Sequence, residues 1–266
     1  MIHTIKKTMR LYGHYVSVNI RSAMQYKSSF LLSVIGQFLV SFNVFLGVLF
    51  MFQRFSSVEG FTYSQVLLCF SILLLEFSLA EMAARGFDLF PYMVRSGEFD
   101  RVLVRPQSAA LQVLGSEFEL TRIGRMLQAV VMFAYGVLHS DIAWNAVKVL
   151  TVVNMLVGGI VVFAALFLIC AAFSFFTLDG LEFMNIFIDG AREFGKYPMG
   201  VYGKRLLQLT TFVIPYALVQ YYPFLFLIGQ RTSQFFVFVP LLACWIFLPA
   251  WLFWRFGIRH YQSSGS

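Results

Sequence analysis

The chain has 266 residues, of which 59% are hydrophobic, 18% aromatic and 12% charged, with a net charge of +7. Soluble domains carry about twice that share of charge, so a water-soluble globule, a disordered chain, collagen and a coiled coil are all excluded. A polytopic, all-α membrane protein remains.

Residues 1–29 come first. Ile5, Met9, Tyr12, Val16 and Ile20 recur at helical spacing, while Lys6, Lys7, Arg10, His14 and Arg21 fall largely on the other side. This pattern predicts an amphipathic helix lying in the inner membrane interface. The apolar core and small-residue cleavage site of a signal peptide are missing, so the segment is expected to stay on the chain.

Residues 30–266 read as one transmembrane domain. A spanning helix needs about 20 mainly apolar residues, and lipid leaves the backbone no other partner than its own helix. The charge-poor stretches predict six spans, at about 30–52, 61–82, 122–140, 148–175, 205–228 and 233–254. With the N-terminus inside, the inner segments 1–29, 83–125, 176–205 and 255–266 hold 17 of the 20 lysines and arginines. Only Arg54, Lys148 and Arg231 fall outside, and this positive-inside bias predicts that both termini are cytoplasmic. The outer connections are short, so the polar mass faces the cytoplasm. Cys69, Cys170 and Cys244 are far apart and the four histidines are scattered, which indicates neither a disulfide framework nor a metal site.

Within 176–205, Gly190-Ala-Arg-Glu-Phe-Gly195-Lys196-Tyr197 almost spells a phosphate-binding loop. Tyr197 stands where a hydroxyl must reach magnesium, and no strand precedes it, so the motif is rejected. No other nucleotide site is readable. Any ATP that drives this protein is expected on another polypeptide. The acids Asp179, Glu182, Asp189 and Glu193 of this segment are balanced by four bases, with Phe183, Phe187 and Phe194 interspersed. Such a segment fits the inner interface or a contact with a partner.

The inner loop 83–125 carries Arg95-Ser-Gly97-Glu98-Phe99-Asp100-Arg101-Val102-Leu103-Val104-Arg105-Pro106. Its six bases and five acids nearly cancel, so it is no simple lipid-binding basic patch. Ser96-Gly97 breaks the backbone. After the break, Phe99, Val102, Leu103 and Pro106 can share a face while Glu98, Asp100, Arg101 and Arg105 point elsewhere. That is the pattern of a short helix suited to a partner's groove, and a solvated loop fits the residues equally well.

The run from Gly97 to Pro106, followed by Tyr197-Pro198 and Tyr202, Ile214-Pro215 and Tyr221-Tyr222-Pro223 around six spans, resembles the permease subunits of bacterial type-two ABC exporters. It is most similar to their small six-span subfamily. The resemblance covers essentially the whole chain, with Gln107 departing from the aliphatic residue expected after Pro106. It implies a non-catalytic subunit of the plasma membrane that binds no cofactor. ATP and magnesium would sit on a separate ABC ATPase, present in two copies. A second permease, identical or different, would complete the path. The loop between the second and third spans would carry a coupling helix, with Gly97, Glu98, Phe99, Asp100, Arg101, Arg105 and Pro106 as its residues. Nucleic acid is not an expected partner; membrane lipid is.

Two further groups stand out. Glu76 and Glu81 lie toward the inner end of the second span, with Arg85 four residues after Glu81. A carboxylate in a membrane faces a bundle interior, a water path or a partner. Glu81 and Arg85 are expected to pair at headgroup depth, and Glu76 to lie deeper, on a polar path or an inter-subunit contact. A proton-coupled carrier using Glu76 is the rival reading; the scarcity of acids in the spans and the lack of an inverted repeat count against it. Pro215 and Pro223 interrupt the fifth stretch, and Pro240 and Pro249 the sixth. The fifth is expected to break near Tyr221-Tyr222-Pro223, where the resemblance implies a short re-entrant outer gate.

Overall fold

A computed structural model describes residues 2–55, 57–177 and 182–263, so Asp179 lies outside the described residues, as does the side chain of Glu182. All regular structure among them is helical, apart from one isolated bridge between Val58 and Phe61. The helices are α1 (Ile2–Gln25), α2 (Lys27–Arg54), α3 (Tyr63–Asp88), α4 (Phe90–Arg95), α5 (Glu98–Leu103), α6 (Ala109–Ser116) and α7 (Ile123–His139). There follow α8 (Ala146–Phe173), α9 (Glu182–Phe194), α10 (Lys204–Phe212), α11 (Tyr216–Val219), α12 (Tyr221–Leu227), α13 (Val239–Ala243) and α14 (Phe247–His260).

Among the described residues, four helices are long and apolar enough to cross a membrane: α2, α3 with its continuation to Arg95, α8, and α13 with α14. The bent pair α10 and α11–α12 makes a fifth if counted as one span. The third expected span, α7, has 17 residues, a rise of about 25 Å against a hydrocarbon core of about 30 Å.

The helix α3 is the hub. Thr62 and Gln65 close a capping box at its start, with the Thr62 amide donating to the Gln65 side chain at 3.1 Å. From there α3 packs along α7 on one side and α8 on the other. Small residues let these helices approach closely, as lipid-embedded packing requires. A side chain at Gly136 of α7 would collide with Leu68 of α3, and one at Gly159 of α8 with the Glu76 carboxyl. Gly124 of α7 meets the Val34 carbonyl of α2 in the same way. Asn145 caps α8 by accepting from the Lys148 amide at 2.9 Å.

The first helix leans on the bundle where α3 ends and α6 packs against it. Tyr12 donates to the Ala83 carbonyl at 3.0 Å, and Asn19 to that of Gly115 at 3.2 Å. Tyr12, Val16 and Ile20 are half-buried and the basic residues from Lys6 to Arg21 are exposed. Met9, placed in the apolar stripe by its spacing, is exposed.

The segment 176–205 departs from expectation. It was read as an inner loop, yet α9 packs against α3 and α8. The Arg192 guanidinium lies 5.7 Å from the ring centre of Phe77, halfway along α3. Five residues later the Tyr197 hydroxyl donates to Met51 Sδ, in the last turn of α2, at 3.2 Å. Arg192 and Lys196 therefore lie alongside the bundle instead of in a loop at its inner end.

Candidate functional site

The loop after α3 folds onto the ends of α8 and α14. Gly97 adopts φ of 73°, a conformation that favours glycine, and turns the chain from α4 into α5. Phe99 then points inward and is fully buried. Its ring meets Phe90 at 4.8 Å, Tyr261 at 5.1 Å and Phe175 at 5.5 Å, and Phe90 in turn meets Trp254 at 4.9 Å. Phe99 is thus an anchor of α5 to its own chain, correcting its expected place on a partner-facing surface. An apolar ring next to three other rings gains more inside than at an exposed edge.

Asp100 completes the anchor. It accepts from the Tyr261 hydroxyl at 3.0 Å and from Ser263 Oγ at 2.6 Å. Burial first, and then the Asp100 carboxylate that accepts its proton, push the Tyr261 hydroxyl up to about 12. What α5 and the following turn present outward is Glu98, Arg101, Leu103, Val104, Arg105 and Pro106, with Val104 83% exposed. Gln112 of α6 holds the turn by donating to the carbonyls of Val102 at 3.1 Å and Gln107 at 3.3 Å.

Glu81 is 7% exposed, so its carboxylate is enclosed by the protein and does not reach outward from the bundle. Its carboxylate receives Arg122 at 2.7 Å and Arg125 at 2.8 Å, both from the start of α7. Arg85 is more distant, at 3.6 Å, and pairs more closely with Asp88. Arg125 also donates to Gln37 of α2 at 3.0 Å, so one node joins three helices. The sequence reading missed Arg122, Arg125 and Gln37. The signal was available: two arginines three residues apart open an apolar stretch, and a carboxylate in a span needs a base.

Glu76 is 1% exposed and lies elsewhere, against Gly159 of α8. Its Oε1 has no hydrogen-bond partner. The structure therefore brings Glu81 and Arg85 together and leaves Glu76 on a different face of α3.

The fifth stretch bends by 87° between α10 and α11, at residues 213–215. Pro215 marks that bend, earlier than the break expected at Tyr221-Tyr222-Pro223. Pro223 falls in the first turn of α12, where a missing N–H costs little. Tyr221 lies against Gly200, and Tyr222 shares a hydrogen bond of 3.2 Å with Thr211 of α10. Tyr216 donates to the Phe187 carbonyl at 2.8 Å and Gln220 to that of Gly195 at 2.7 Å. The bent pair is thereby fastened to α9 and the turn after it.

Between α2, α3 and α9 lies a cavity of about 200 Å³, lined on its charged side by Arg125, Arg192, Glu193 and Lys196. Among the described residues, no group of histidine, cysteine and acidic side chains could hold a metal ion.

Among the described residues the chain is a helical bundle with several membrane-capable helices and a loop latched onto the bundle after the second of them. The chain belongs to the ABC-2 family of transporter proteins, whose family model matches residues 38–265. It is a membrane transport component of the type-two ABC class, and membership implies an ABC ATPase as partner. No curated protein and no solved structure matches it. The family gives the proton-coupled carrier reading no support.

Proposed function

We propose that this chain is the permease of a bacterial ABC exporter, moving its substrate across the plasma membrane on ATP hydrolysed by a separate subunit. ATP and magnesium are held by two ATPase copies, and a second permease, of the same or another kind, closes the path. The observation that carries this reading is α5. Phe99 and Asp100 fasten it to the inner ends of α8 and α14, while Leu103, Val104, Arg105 and Pro106 face outward. A helix held in this way passes on a push as a rigid lever, and its exposed apolar residues fit a partner's groove.

Six crossings with both termini cytoplasmic belong to the same proposal, as does an interfacial α1. Tyr197 has reached the level of the last turn of α2, so α9 supplies most of the fifth crossing. The bent pair α10–α12 is then the re-entrant outer piece, with Pro215, Tyr221, Tyr222 and Pro223 at its turns. Thirteen of the 20 lysines and arginines still fall in 1–29, 83–125 and 255–266, which preserves the sign of the charge bias.

The test uses the permease co-expressed with its ATPase. Val104→Asp and Arg105→Glu leave the permease folded and inserted but weaken copurification or transport-stimulated ATP hydrolysis by about tenfold, as interface anchors do. Glu59→Ala, on an outer turn, leaves both unchanged. If both loop variants bind and couple as the parent does, α5 is a connector and the reading fails. For the topology, single cysteines at Ser57, Asn145, Lys204 and Gln230 react with an impermeant thiol reagent outside, and one at Ser96 does not.

A further inference from the structure

Two buried arginines meet α3 at the start of α7. Arg122 and Arg125 share one carboxylate, that of Glu81, and all three are nearly enclosed. Arg122 Nε is buried without a partner. Arg85 is held by Asp88 and lies 3.8 Å from Glu119, so the wider cluster sets three bases against three acids. Among the described residues, Arg122 and Arg125 have only the Glu81 carboxylate within ion-pair distance. A buried guanidinium that shares its counter-charge is costly, and membrane proteins keep such a group where a ligand or path uses it.

Arg125 lines the cavity between α2, α3 and α9, together with Arg192 and Lys196 of the α9 segment. Glu193 is the sole acid on the lining. It pairs with Lys196 and lies 3.8 Å from Arg192, and Asp189 lies 3.5 Å from Arg192. Those two acids are 52% and 57% exposed, so water screens their charge more than it screens that of the buried Arg125. Val40 and Val44 of α2 with Phe70 and Leu74 of α3 supply the apolar lining, and Ser41 lies beside them.

We propose that this cavity binds an anionic amphiphile: a phosphate or carboxylate group held by Arg125, Arg192 and Lys196, with the attached apolar chain against Val44, Phe70 and Leu74. Arginine and lysine supply charge-assisted donors on one side, and the apolar walls take the chain without a hydrogen bond to satisfy. An inorganic anion alone would leave the apolar half of the cavity unused. The binding of the amphiphile stands on the cavity itself; that the bound molecule is cargo rests on the permease reading above. The anionic group can come from a membrane lipid headgroup or from a soluble amphiphile.

The experiment uses the purified chain alone in neutral maltoside micelles, so that it does not depend on the ATPase. Dodecyl phosphate, phosphatidylglycerol, inorganic phosphate and dodecyltrimethylammonium are titrated in turn, and the thermal unfolding midpoint is followed by tryptophan fluorescence. Dodecyl phosphate raises the midpoint saturably, because a ligand of the native state stabilises it by mass action. The trimethylammonium compound and inorganic phosphate at the same concentration do not. A matching rise with phosphatidylglycerol assigns the site to a lipid headgroup, and a rise with dodecyl phosphate alone assigns it to a soluble amphiphile. Arg192→Gln combined with Lys196→Gln moves half-saturation to about tenfold higher concentration or more. Glu193→Gln moves it the other way, to lower concentration, which a merely damaged fold would not do. Arg54→Gln, at the far end of α2, changes nothing. The proposal is overturned if the double variant and Glu193→Gln both bind dodecyl phosphate as the parent does. It is equally overturned if the cationic amphiphile stabilises as well as the anionic one. Either result leaves the coupling role of α5 untouched.

Discussion

The helices α2 and α3 look alike as strings of residues and occupy opposite situations. Both are apolar and 26–28 residues long. In α3, 17 residues are buried, among them Glu76 and Glu81; in α2, only Ser41 and Val48 are. Hydrophobicity cannot cause this difference, since lipid is as apolar as a leucine side chain. The difference comes from what lets a neighbour approach and what needs one. Two glycines, Gly136 and Gly159, admit α3 to contact with α7 and α8. Glu81 must find a base, and finds two on α7. The outward side of α2, with Leu31, Leu32, Ile35 and Leu39, asks for nothing but lipid or a second permease.

Three substitutions sharpen or break this contrast, in descending order of effect. Glu81→Ala leaves two buried guanidiniums without their carboxylate, at a cost of about 3–5 kcal/mol. The protein in maltoside micelles should lose most of its thermal stability. Arg54→Ala, an exposed charge on α2, stays within about 0.5 kcal/mol. Equal unfolding midpoints for the two would show that the Glu81 node holds nothing together.

The second pair compares glycines. A methyl group at Gly124 meets the Val34 carbonyl and forces α7 away from α2, costing about 1–3 kcal/mol. Gly36 of α2 has open space where a methyl group would go. Gly36→Ala should be neutral or stabilise by up to about 1 kcal/mol. Chemical denaturation of both variants in the same micelle measures the difference, and a costly Gly36→Ala would place an unseen surface against α2.

The third and smallest effect separates the two acids of α3. Glu81 is paired and Glu76 Oε1 is not. Replacing Glu76 by Gln removes a carboxyl that contributes desolvation cost and little pairing, so stability should change by about 1 kcal/mol or less. Glu81→Gln, which breaks two ion pairs, should cost more. If Glu76→Gln proves the more damaging, Glu76 has a partner in the assembled transporter that the single chain does not contain.

Much of the fold was legible. The expected spans 30–52 and 148–175 correspond to α2 and α8 within a few residues, because unbroken apolar runs permit no other structure in lipid. The break expected in 205–228 is present but falls at Pro215 and not at Tyr221-Tyr222-Pro223, because the packing of α11 on α8 and α13, and its bonds to the α9 segment, fix the bend of 87°. The helix α9 was missed altogether. Arg192, Glu193 and Lys196 interrupt its apolar run, and a search for charge-poor stretches passes over a helix whose charges face a cavity. At the inner loop, the turn at Gly97 was readable, but the direction of Phe99 was not. Its three aromatic neighbours lie as much as 162 residues away in sequence, at Tyr261.

Composition and the spacing of apolar runs by themselves determined that this is a helical membrane protein and that its chain turns at Gly97. Those properties are local: each follows from about 20 consecutive residues meeting lipid or water. Which acid is paired, which face of α5 is outward, and which cations gather around one cavity were decided by the tertiary structure alone. The reason is electrostatic and steric. Glu81 and Arg125 are 44 residues apart in sequence and 2.8 Å apart in space, and only the close packing of α3 on α7 makes them partners.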